Sequence, residues 1–372
     1  MVAERGRGDG LGTHRRRRWV AAAAVAAALC SVAPTVPTLA AAAAGDLPAG
    51  GATEAVPPAP FSDLPGPFAG PYSEPLGRPY AEPMSAPVAA SPYEQSRIER
   101  YWSADRRARA QTADAAERGD RPAPSALEGA ATAGEAQRDA TPPPPSTGAP
   151  YVYGGLATKT VGRLFTTLRG VDYACSATVV SSPGRDLAVT AGHCLHQGTG
   201  DQFATNVVFM PGYSEGRMPY GLWTARRITV TPGWGLDGDF DYDTGFVLFN
   251  ARGGRHVEDV VGAQRIAFNQ PRTFAQYAFG YPRLAPYDGN RLVYCAGAPS
   301  PDPYGTVSLG LNCDMTGGAS GGPLIIGLGR AGPGAGWVDS VVSYAYVGES
   351  QTIYGTYFGR AIELLYYQAM EL

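Results

Sequence analysis

The sequence contains little charge and few of the side chains that most often carry catalysis. Asp, Glu, Lys and Arg make up only 17% of the residues, the net charge is −3, and 372 residues include only 4 histidines and 5 cysteines. A net charge this small gives no global indication of binding to nucleic acid or to an anionic membrane surface. The sequence also has no internal repeat of fixed period, which argues against a solenoid or a propeller.

Glycine and proline, by contrast, are abundant, with 49 and 33 residues. Alanine dominates roughly the first 150 residues. This composition is typical of a loop-rich β domain joined to a low-complexity segment, and it argues against a helical bundle.

The N-terminal 44 residues have the pattern of an export signal. Four arginines at 15–18 precede an apolar stretch at 19–29, and small residues at 40–44 offer cleavage sites. A membrane anchor is the alternative, but the apolar stretch is too short for a comfortable span and prolines soon interrupt it. We therefore predict a signal peptide at 1–44, a secreted protein and no stable membrane anchor.

Four cysteines remain once Cys30 leaves with the signal, and an even number in an exported chain indicates disulfides. They are Cys175, Cys194, Cys295 and Cys313. Three connectivities are possible, and sequential pairing is favoured because it closes two short loops. Free buried thiols are the alternative.

Residues 45–150 are rich in Ala, Pro, Gly and Ser, a composition that predicts a largely disordered pro-segment or linker. One island differs, because 93–118 contains Ile98, Tyr101 and Trp102 among many charges and predicts a helix. Two interpretations stay open. The island is either part of a pro-segment that docks on the following domain or a marginal helix in a linker.

From residue 151 to the C-terminus, short β-rich runs alternate with Gly, Pro and Asn, which predicts an all-β sandwich or a pair of barrels. The predicted strands are 177–180, 187–189, 206–209, 227–230, 245–249, 277–279, 291–294, 323–326 and 337–346. Ile362, Leu365, Tyr366 and Ala369 recur at helical spacing and predict an amphipathic C-terminal helix.

The run GGASGGP at 317–323 suits a nucleophilic serine, Ser320. A serine hydroxyl needs a nearby base and donors for an oxyanion, and flanking glycines let the backbone aim its amides at one point. An ordinary glycine turn is the alternative. The run also fits the GxSxG elbow of α/β-hydrolases, but that fold needs a histidine after the serine and the last one here is His256.

The base must be one of four histidines. His14 leaves with the signal, and His256 lies in a polar stretch that predicts a solvated loop. His193 follows the apolar run 187–189 and precedes a cysteine, which makes it the candidate base. Together with His196 it could suggest a metal site, but no third ligand cluster accompanies the pair, so we predict no metal and no cofactor.

The base needs a buried carboxylate to fix its tautomer. Asp243 leads directly into the apolar run 245–249, whereas Asp239 and Asp241 lie in an acidic loop. The order histidine, aspartate, serine is that of the chymotrypsin arrangement. We therefore predict Asp243 as the third member, with Asp241 as its competitor.

Three ordered motifs carry a family resemblance. TAGHC at 190–194 resembles the histidine box of the trypsin-like serine proteases. DTGFV at 243–247 and GGASGGP at 317–323 resemble the acid and serine boxes of the bacterial glutamyl-endopeptidase branch, and CSATVV at 175–180 resembles the strand that leads to the histidine. The resemblance covers about residues 160–372.

The resemblance implies an all-β fold of two six-stranded antiparallel barrels with the triad His193, Asp243 and Ser320 in the cleft between them. It also implies a removable pro-segment, hence a zymogen, and an oxyanion hole formed by the amides of Gly318 and Ser320. Ala319 departs from the pattern, because trypsin-type zymogens carry an aspartate there for their activation switch.

The resemblance also suggests substrate-binding residues. Asp314 occupies the position of the acid that binds basic side chains in trypsin-like enzymes, although a structural role next to Cys313 is slightly favoured. Ser343 lies in 341–345, which resembles the strand that pairs with bound substrate backbone. The histidine that glutamyl endopeptidases carry on this segment is missing, which weakens the case for cleavage after Glu.

The sequence therefore predicts a secreted serine endopeptidase that hydrolyses peptide bonds through an acyl-enzyme intermediate. Its expected partners are protein or peptide substrates, without nucleic acid, and the chain is expected to be a monomer. A catalytically silent binding module of protease fold at the cell surface is the alternative. An exported esterase of another fold is a third hypothesis, which the missing late histidine disfavours.

Overall fold

The computed structural model of the chain describes residues 81–112, 147–200, 202–349 and 351–372. The predicted signal at 1–44, Cys30, His14 and most of the low-complexity segment lie outside the described residues. The domain boundaries predicted at 45 and 151 stay predictions.

The described residues form mostly β-structure. The strands, in chain order, are β1 (Met84–Pro87), β2 (Gln111–Thr112), β3 (Ala149–Pro150), β4 (Val161–Leu168), β5 (Val171–Val179), β6 (Leu187–Thr190), β7 (Thr205–Pro211), β8 (Trp223–Val230), β9 (Gly245–Phe249), β10 (Arg265–Ile266), β11 (Gln276–Gly280), β12 (Val293–Gly297), β13 (Ser300–Pro301), β14 (Leu309–Asn312), β15 (Pro323–Ile326), β16 (Trp337–Tyr344) and β17 (Thr352–Tyr357). The helices are α1 (Pro92–Tyr101), α2 (Ala104–Arg109), α3 (Ala157–Thr160), α4 (Pro232–Asp237), α5 (Val257–Val261) and α6 (Arg360–Ala369).

Strands β4 to β9 form a closed antiparallel barrel. Their order is β8-β7-β4-β5-β6-β9, and pairing of β8 with β9 closes the ring. Every residue of β4, β6 and β9 is buried, because one face of each strand fills the barrel and the other is covered by neighbouring segments. The unbroken apolar run of β9 fits that two-sided burial.

The second sheet is built on six antiparallel strands in the order β14-β17-β16-β15-β11-β12, with β3, β10 and β13 added as short strands. A disulfide between Cys295 on β12 and Cys313, just after β14, joins the two ends of this path. The all-β prediction is confirmed, with a closed barrel and a second sheet. The strands predicted at 245–249 and 323–326 begin and end as expected, whereas β4, β14 and β17 were not predicted.

The second disulfide, Cys175–Cys194, joins β5 to the turn that follows β6. The structure therefore has the sequential pairing that the short loops favoured.

Residues 84–112 pack onto the barrel instead of remaining an isolated linker helix. Strand β1 extends the first sheet by pairing with β8. The island predicted as one helix over 93–118 is two helices, because the chain turns at Trp102 to bury that side chain, which is 1% exposed. Ser91 begins α1 with a capping box closed by Glu94. The island therefore docks on the following domain, while its role as a removable pro-segment stays a prediction.

The C-terminal helix α6 also packs on the barrel, against β8 and β9. Its Ile362, Leu365 and Ala369 are buried, as their spacing predicted. In the described part of the chain, every helix is too short or too polar to span a bilayer.

Candidate active site

The carboxylate of Asp243 lies at the centre of the site and is completely buried. Its Oδ1 accepts a hydrogen bond from the His193 backbone N–H at 2.7 Å, and its Oδ2 lies 2.7 Å from His193 Nδ1. Oδ2 also accepts a hydrogen bond from Ser343 Oγ at 2.5 Å. Three donors thus converge on one carboxylate, which compensates for its removal from water.

Local structure explains how Asp243 reaches this position. A short 3₁₀ turn, Phe240–Tyr242, brings the chain into β9, and Asp243 lies between the two. The Asp243 carbonyl accepts a hydrogen bond from Thr356 Oγ1 of β17, so its backbone is held by the second sheet. Asp241, the competitor, instead accepts a hydrogen bond from the Val307 N–H.

His193 lies in the turn that follows β6, where Gly192 allows a close approach. A Cβ at Gly192 would lie 2.7 Å from the Trp234 ring and 3.0 Å from Asp243 Oδ1, so a side chain there would push the histidine loop away. Because Nδ1 faces Asp243, the tautomer with the proton on Nδ1 leaves a lone pair on Nε2. Nε2 has no hydrogen-bond partner among the described residues.

Ser320 lies in the turn between β14 and β15, and both the barrel and the second sheet hold this turn. Its carbonyl accepts a hydrogen bond from the Ser176 N–H of β5 at 2.8 Å, and the Gly321 N–H donates to the Val342 carbonyl of β16. Gly321 has φ +79°, and a Cβ there would lie 2.0 Å from Thr190 Oγ1. The glycine therefore permits the serine turn to sit against the end of β6, just before the histidine loop.

The predicted oxyanion donors are suitably free. The Gly317 carbonyl accepts from the Arg283 N–H at 2.7 Å, and the Ala319 carbonyl accepts from the Gly322 N–H at 2.8 Å. In a trans peptide the N–H points opposite to the carbonyl, so the Gly318 and Ser320 amides face away from these partners. Neither amide donates to another residue in the described ranges.

The side chain of Ser343 has a contact that the sequence did not predict, and its predicted role in substrate binding stays a prediction. The residue is 1% exposed and its hydroxyl donates to Asp243, so the side chain contacts the carboxylate. The predicted contact with substrate therefore rests on the backbone of Ser343 alone. The sequence offered no signal for the hydroxyl's role, since the two residues lie 100 positions apart.

Asp314 is half-buried and engaged within the chain. Its Oδ1 accepts hydrogen bonds from the Gly148 N–H at 2.7 Å and from the Tyr287 hydroxyl at 2.5 Å. Burial, with a further contribution from Asp314, raises the pKa of Tyr287. These contacts match the structural interpretation of Asp314 better than that of a free acid awaiting a basic side chain.

A tyrosine cluster, which the sequence analysis missed, follows Ser343 along the chain. The rings of Tyr344 and Tyr354 stack with centroids 5.2 Å apart, and Phe240 meets Tyr344 edge-on. The buried Oδ2 of Asp302 accepts hydrogen bonds from the Tyr344 and Tyr346 hydroxyls at 2.7 and 2.8 Å. An aromatic wall with its polar atoms satisfied thus lies next to the Asp243 network.

One group of side chains has the spacing of a metal site. Ligand atoms of Cys175, His193 and Cys194 lie within 4.8 Å of one another. However, the two sulfurs form a disulfide, so neither is a thiolate, and His193 Nδ1 faces Asp243. This group therefore lacks the donors that zinc requires.

The chain is similar to solved structures over somewhat more than half of its length. A thermostable serine protease, AL20, from an extremophilic microorganism is 38% identical, with 58% of this chain and 99% of that chain covered and a TM-score of 0.55. The protease Anisep from Arthrobacter nicotinovorans is 39% identical, with 59% and 98% covered and the same TM-score of 0.55. No family model and no curated protein matches the sequence.

Proposed function

The chain belongs to the serine proteases of chymotrypsin fold and is a serine endopeptidase, and we propose that His193, Asp243 and Ser320 are its catalytic triad. The observation that carries this assignment is the convergence of His193 N–H, His193 Nδ1 and Ser343 Oγ on the buried Asp243 carboxylate. Such a carboxylate fixes the histidine tautomer and stabilises the imidazolium that forms during catalysis.

In the proposed mechanism, Nε2 of His193 takes the proton from Ser320 Oγ as that oxygen attacks the peptide carbonyl carbon. The tetrahedral oxyanion accepts hydrogen bonds from the Gly318 and Ser320 amides, which have no competing acceptor among the described residues. His193 then gives its proton to the leaving amine. Water, activated by the same base, hydrolyses the acyl-enzyme and frees the serine.

Gly318 supports this oxyanion role through its backbone. It has φ +96°, and a Cβ there would lie 2.8 Å from the Tyr281 carbonyl, so other residues would strain the turn. Its own carbonyl accepts a hydrogen bond from Ser176 Oγ at 2.8 Å, which fixes the peptide that follows. The Gly318 amide belongs to the preceding peptide, which is held before the substrate arrives by the hydrogen bond from the Arg283 N–H to the Gly317 carbonyl.

Export of the protein is part of the proposal. The two disulfides require an oxidising compartment to form and persist, and the N-terminal 44 residues have the pattern of an export signal. The substrates would then be extracellular proteins or peptides.

The triad assignment is tested by Ser320→Ala in the full chain. We expect kcat on a peptide substrate to fall by at least about three orders of magnitude, because no other oxygen nucleophile replaces the serine. Ser300→Ala, an exposed serine of β13, is the matched control and should retain full activity. Turnover by Ser320→Ala at the parental rate would overturn the assignment.

A further inference from the structure

The end of the N-terminal segment lies beside the candidate active site. Gln111 and Thr112 of β2 pair in parallel with Tyr173 and Ala174 of β5. Two residues further along β5, about 7 Å at the rise of a strand, the Ser176 N–H donates to the Ser320 carbonyl. Strand β2 therefore occupies the sheet edge next to the serine turn.

A second contact connects α2 to the same turn. The guanidinium of Arg283 donates hydrogen bonds to the carbonyls of Ala108 and Ala110 at the end of α2. The backbone N–H of Arg283 donates to the Gly317 carbonyl, next to the proposed oxyanion donor Gly318. One residue thus joins the segment to the loop that carries the nucleophile.

The segment is anchored firmly on the barrel. Arg106 forms an ion pair with Asp172 at 3.1 Å, and the Tyr101 hydroxyl donates to the same carboxylate at 2.7 Å. Trp102 is buried against Phe165, with ring centroids 5.3 Å apart. Burial of a tryptophan at this depth holds residues 104–112 close to the cleft.

The position of β2 identifies the half of the cleft that it occupies. The serine turn is flanked by β16 on one side, through Gly321 and Val342, and by β5 on the other, through Ser176. The segment 341–345 resembles the strand that pairs with bound substrate backbone, and a substrate paired there through its acyl part continues past the serine turn on the other side. The residues that follow the scissile bond must then run past β5, where β2 already pairs with the strand edge.

We propose that residues 104–112 occupy the leaving-group half of the substrate cleft and restrict the intact chain to substrates with a small leaving group. A peptide that continues beyond the scissile bond must displace β2, because the peptide and β2 would pair with the same edge of β5. Helix α2, which leads directly into β2, must move with it. This inference rests on the proposed function of Ser320, and it adds that the chain's own segment controls access to that site.

Two substrates with the same acyl peptide test this inference in the full chain. One ends in p-nitroaniline and has no residue after the scissile bond, whereas the other continues for four residues and is read by loss of fluorescence quenching. The measured quantity is the ratio of kcat/KM for the long substrate to kcat/KM for the short one.

The double variant Arg106→Ala/Arg283→Ala removes the ion pair and the hydrogen bonds that hold α2. We expect the ratio to rise about tenfold, because charge-assisted contacts of the segment are lost while the short substrate is unaffected by them. Arg185→Ala/Arg291→Ala is the matched control, since both arginines form exposed ion pairs elsewhere. An unchanged ratio in the folded test variant would contradict the proposal.

The double variant Gln111→Cys/Tyr173→Cys fixes β2 on β5 instead of loosening it, so the test does not depend on weakening the fold. These residues are direct partners in the β2–β5 ladder, so oxidation should link them. We expect the ratio to fall about tenfold on oxidation and to recover on mild reduction, with the parent chain treated identically. A linked protein, verified by mass, that cleaves the long substrate at the parental ratio would overturn the proposal.

Labelling by a small fluorophosphonate tests the role of Ser320 separately from the occupancy of the cleft. The probe has no residues on the leaving-group side, so it should label the parent and all variants at the same stoichiometry. Failure to label any of them would refute the proposed role of Ser320, whereas equal labelling with unchanged ratios would refute only the occupancy of the cleft.

Discussion

Two carboxylates are buried to a similar depth in this molecule but have opposite surroundings. Asp243, in the cleft, accepts hydrogen bonds from His193 and Ser343 and is 0% exposed. Asp339, on β16 in the second sheet, is 2% exposed and accepts one side-chain hydrogen bond, from Gln276 Nε2 at 3.0 Å. Its Oδ1 and the neighbouring Gln276 Oε1 have no partner in the described part of the chain.

The difference shows what burial does to an acid when donors are present and when they are scarce. Burial raises the pKa of Asp339 to about 7, and the hydrogen bonds from Gln276 and from its own backbone N–H only partly oppose it. Asp243 lies among three donors that each favour a charged acceptor. The first carboxylate thus has three donors around it, whereas the second has one side-chain donor and an oxygen without a partner in the described part of the chain.

Asp243→Asn should have the largest effect, because it removes the anionic acceptor of the His193 Nδ1 proton. We expect kcat to fall by about four orders of magnitude with the fold retained, as measured by peptide hydrolysis. Asp241→Asn, two residues earlier, is the matched control. A loss smaller than tenfold in Asp243→Asn would contradict the assignment of the acid.

Asp339→Asn should stabilise the protein without changing its activity. Since the pKa rises from 3.8 to about 7 on folding, the folded chain retains a proton that the unfolded chain releases between these values. Stability therefore falls as the pH rises through this window, and the loss is complete above about pH 7. Asparagine removes that loss and can donate to Gln276 Oε1.

We expect the free energy of unfolding of Asp339→Asn to exceed that of the parent by up to about 4 kcal/mol at pH 8 and to match it near pH 4. Denaturant unfolding at both pH values measures the difference. Asp105→Asn, at an exposed aspartate, is the control. A variant that is destabilised equally at both pH values would show that burial of Asp339 does not carry the cost.

Ser343→Ala should weaken the Asp243 site to a smaller degree, because two of its three donors remain. We expect kcat to fall about tenfold with KM nearly unchanged, since the hydroxyl acts through Asp243 and not on the substrate. Ser340→Ala on the same strand is the control. A change confined to KM would instead favour direct contact of the Ser343 hydroxyl with substrate.

Asp314→Ser should have the smallest effect, because Asp314 mainly holds Gly148 and Tyr287. We expect a stability loss of about 1 kcal/mol and an unchanged cleavage preference in a peptide library. Loss of cleavage after Arg or Lys on this substitution would instead support a charged specificity pocket.

The local strands around the Asp243 site could be predicted from the sequence, whereas its long-range contacts could not. The runs before His193 and after Asp243 are short, local and apolar, so strands β6 and β9 could be predicted. The partners of Asp243 could not be predicted fully, because Ser343 reaches it only through the packing of the two sheets. Asp339 looks like an ordinary polar residue within a strand, and only tertiary burial makes it unusual. The docking of Trp102 likewise depends on a barrel surface that is distant in sequence.

The role of Ser320 as nucleophile is tested by locating the site of covalent modification in the full chain. We expect a fluorophosphonate to add one phosphonate per molecule, peptide mapping to place it on Ser320, and Asp243→Asn to slow the labelling strongly. An adduct on another residue, or stoichiometric labelling of Ser320→Ala, would contradict the central claim that Ser320 is the nucleophile activated by the His193–Asp243 pair.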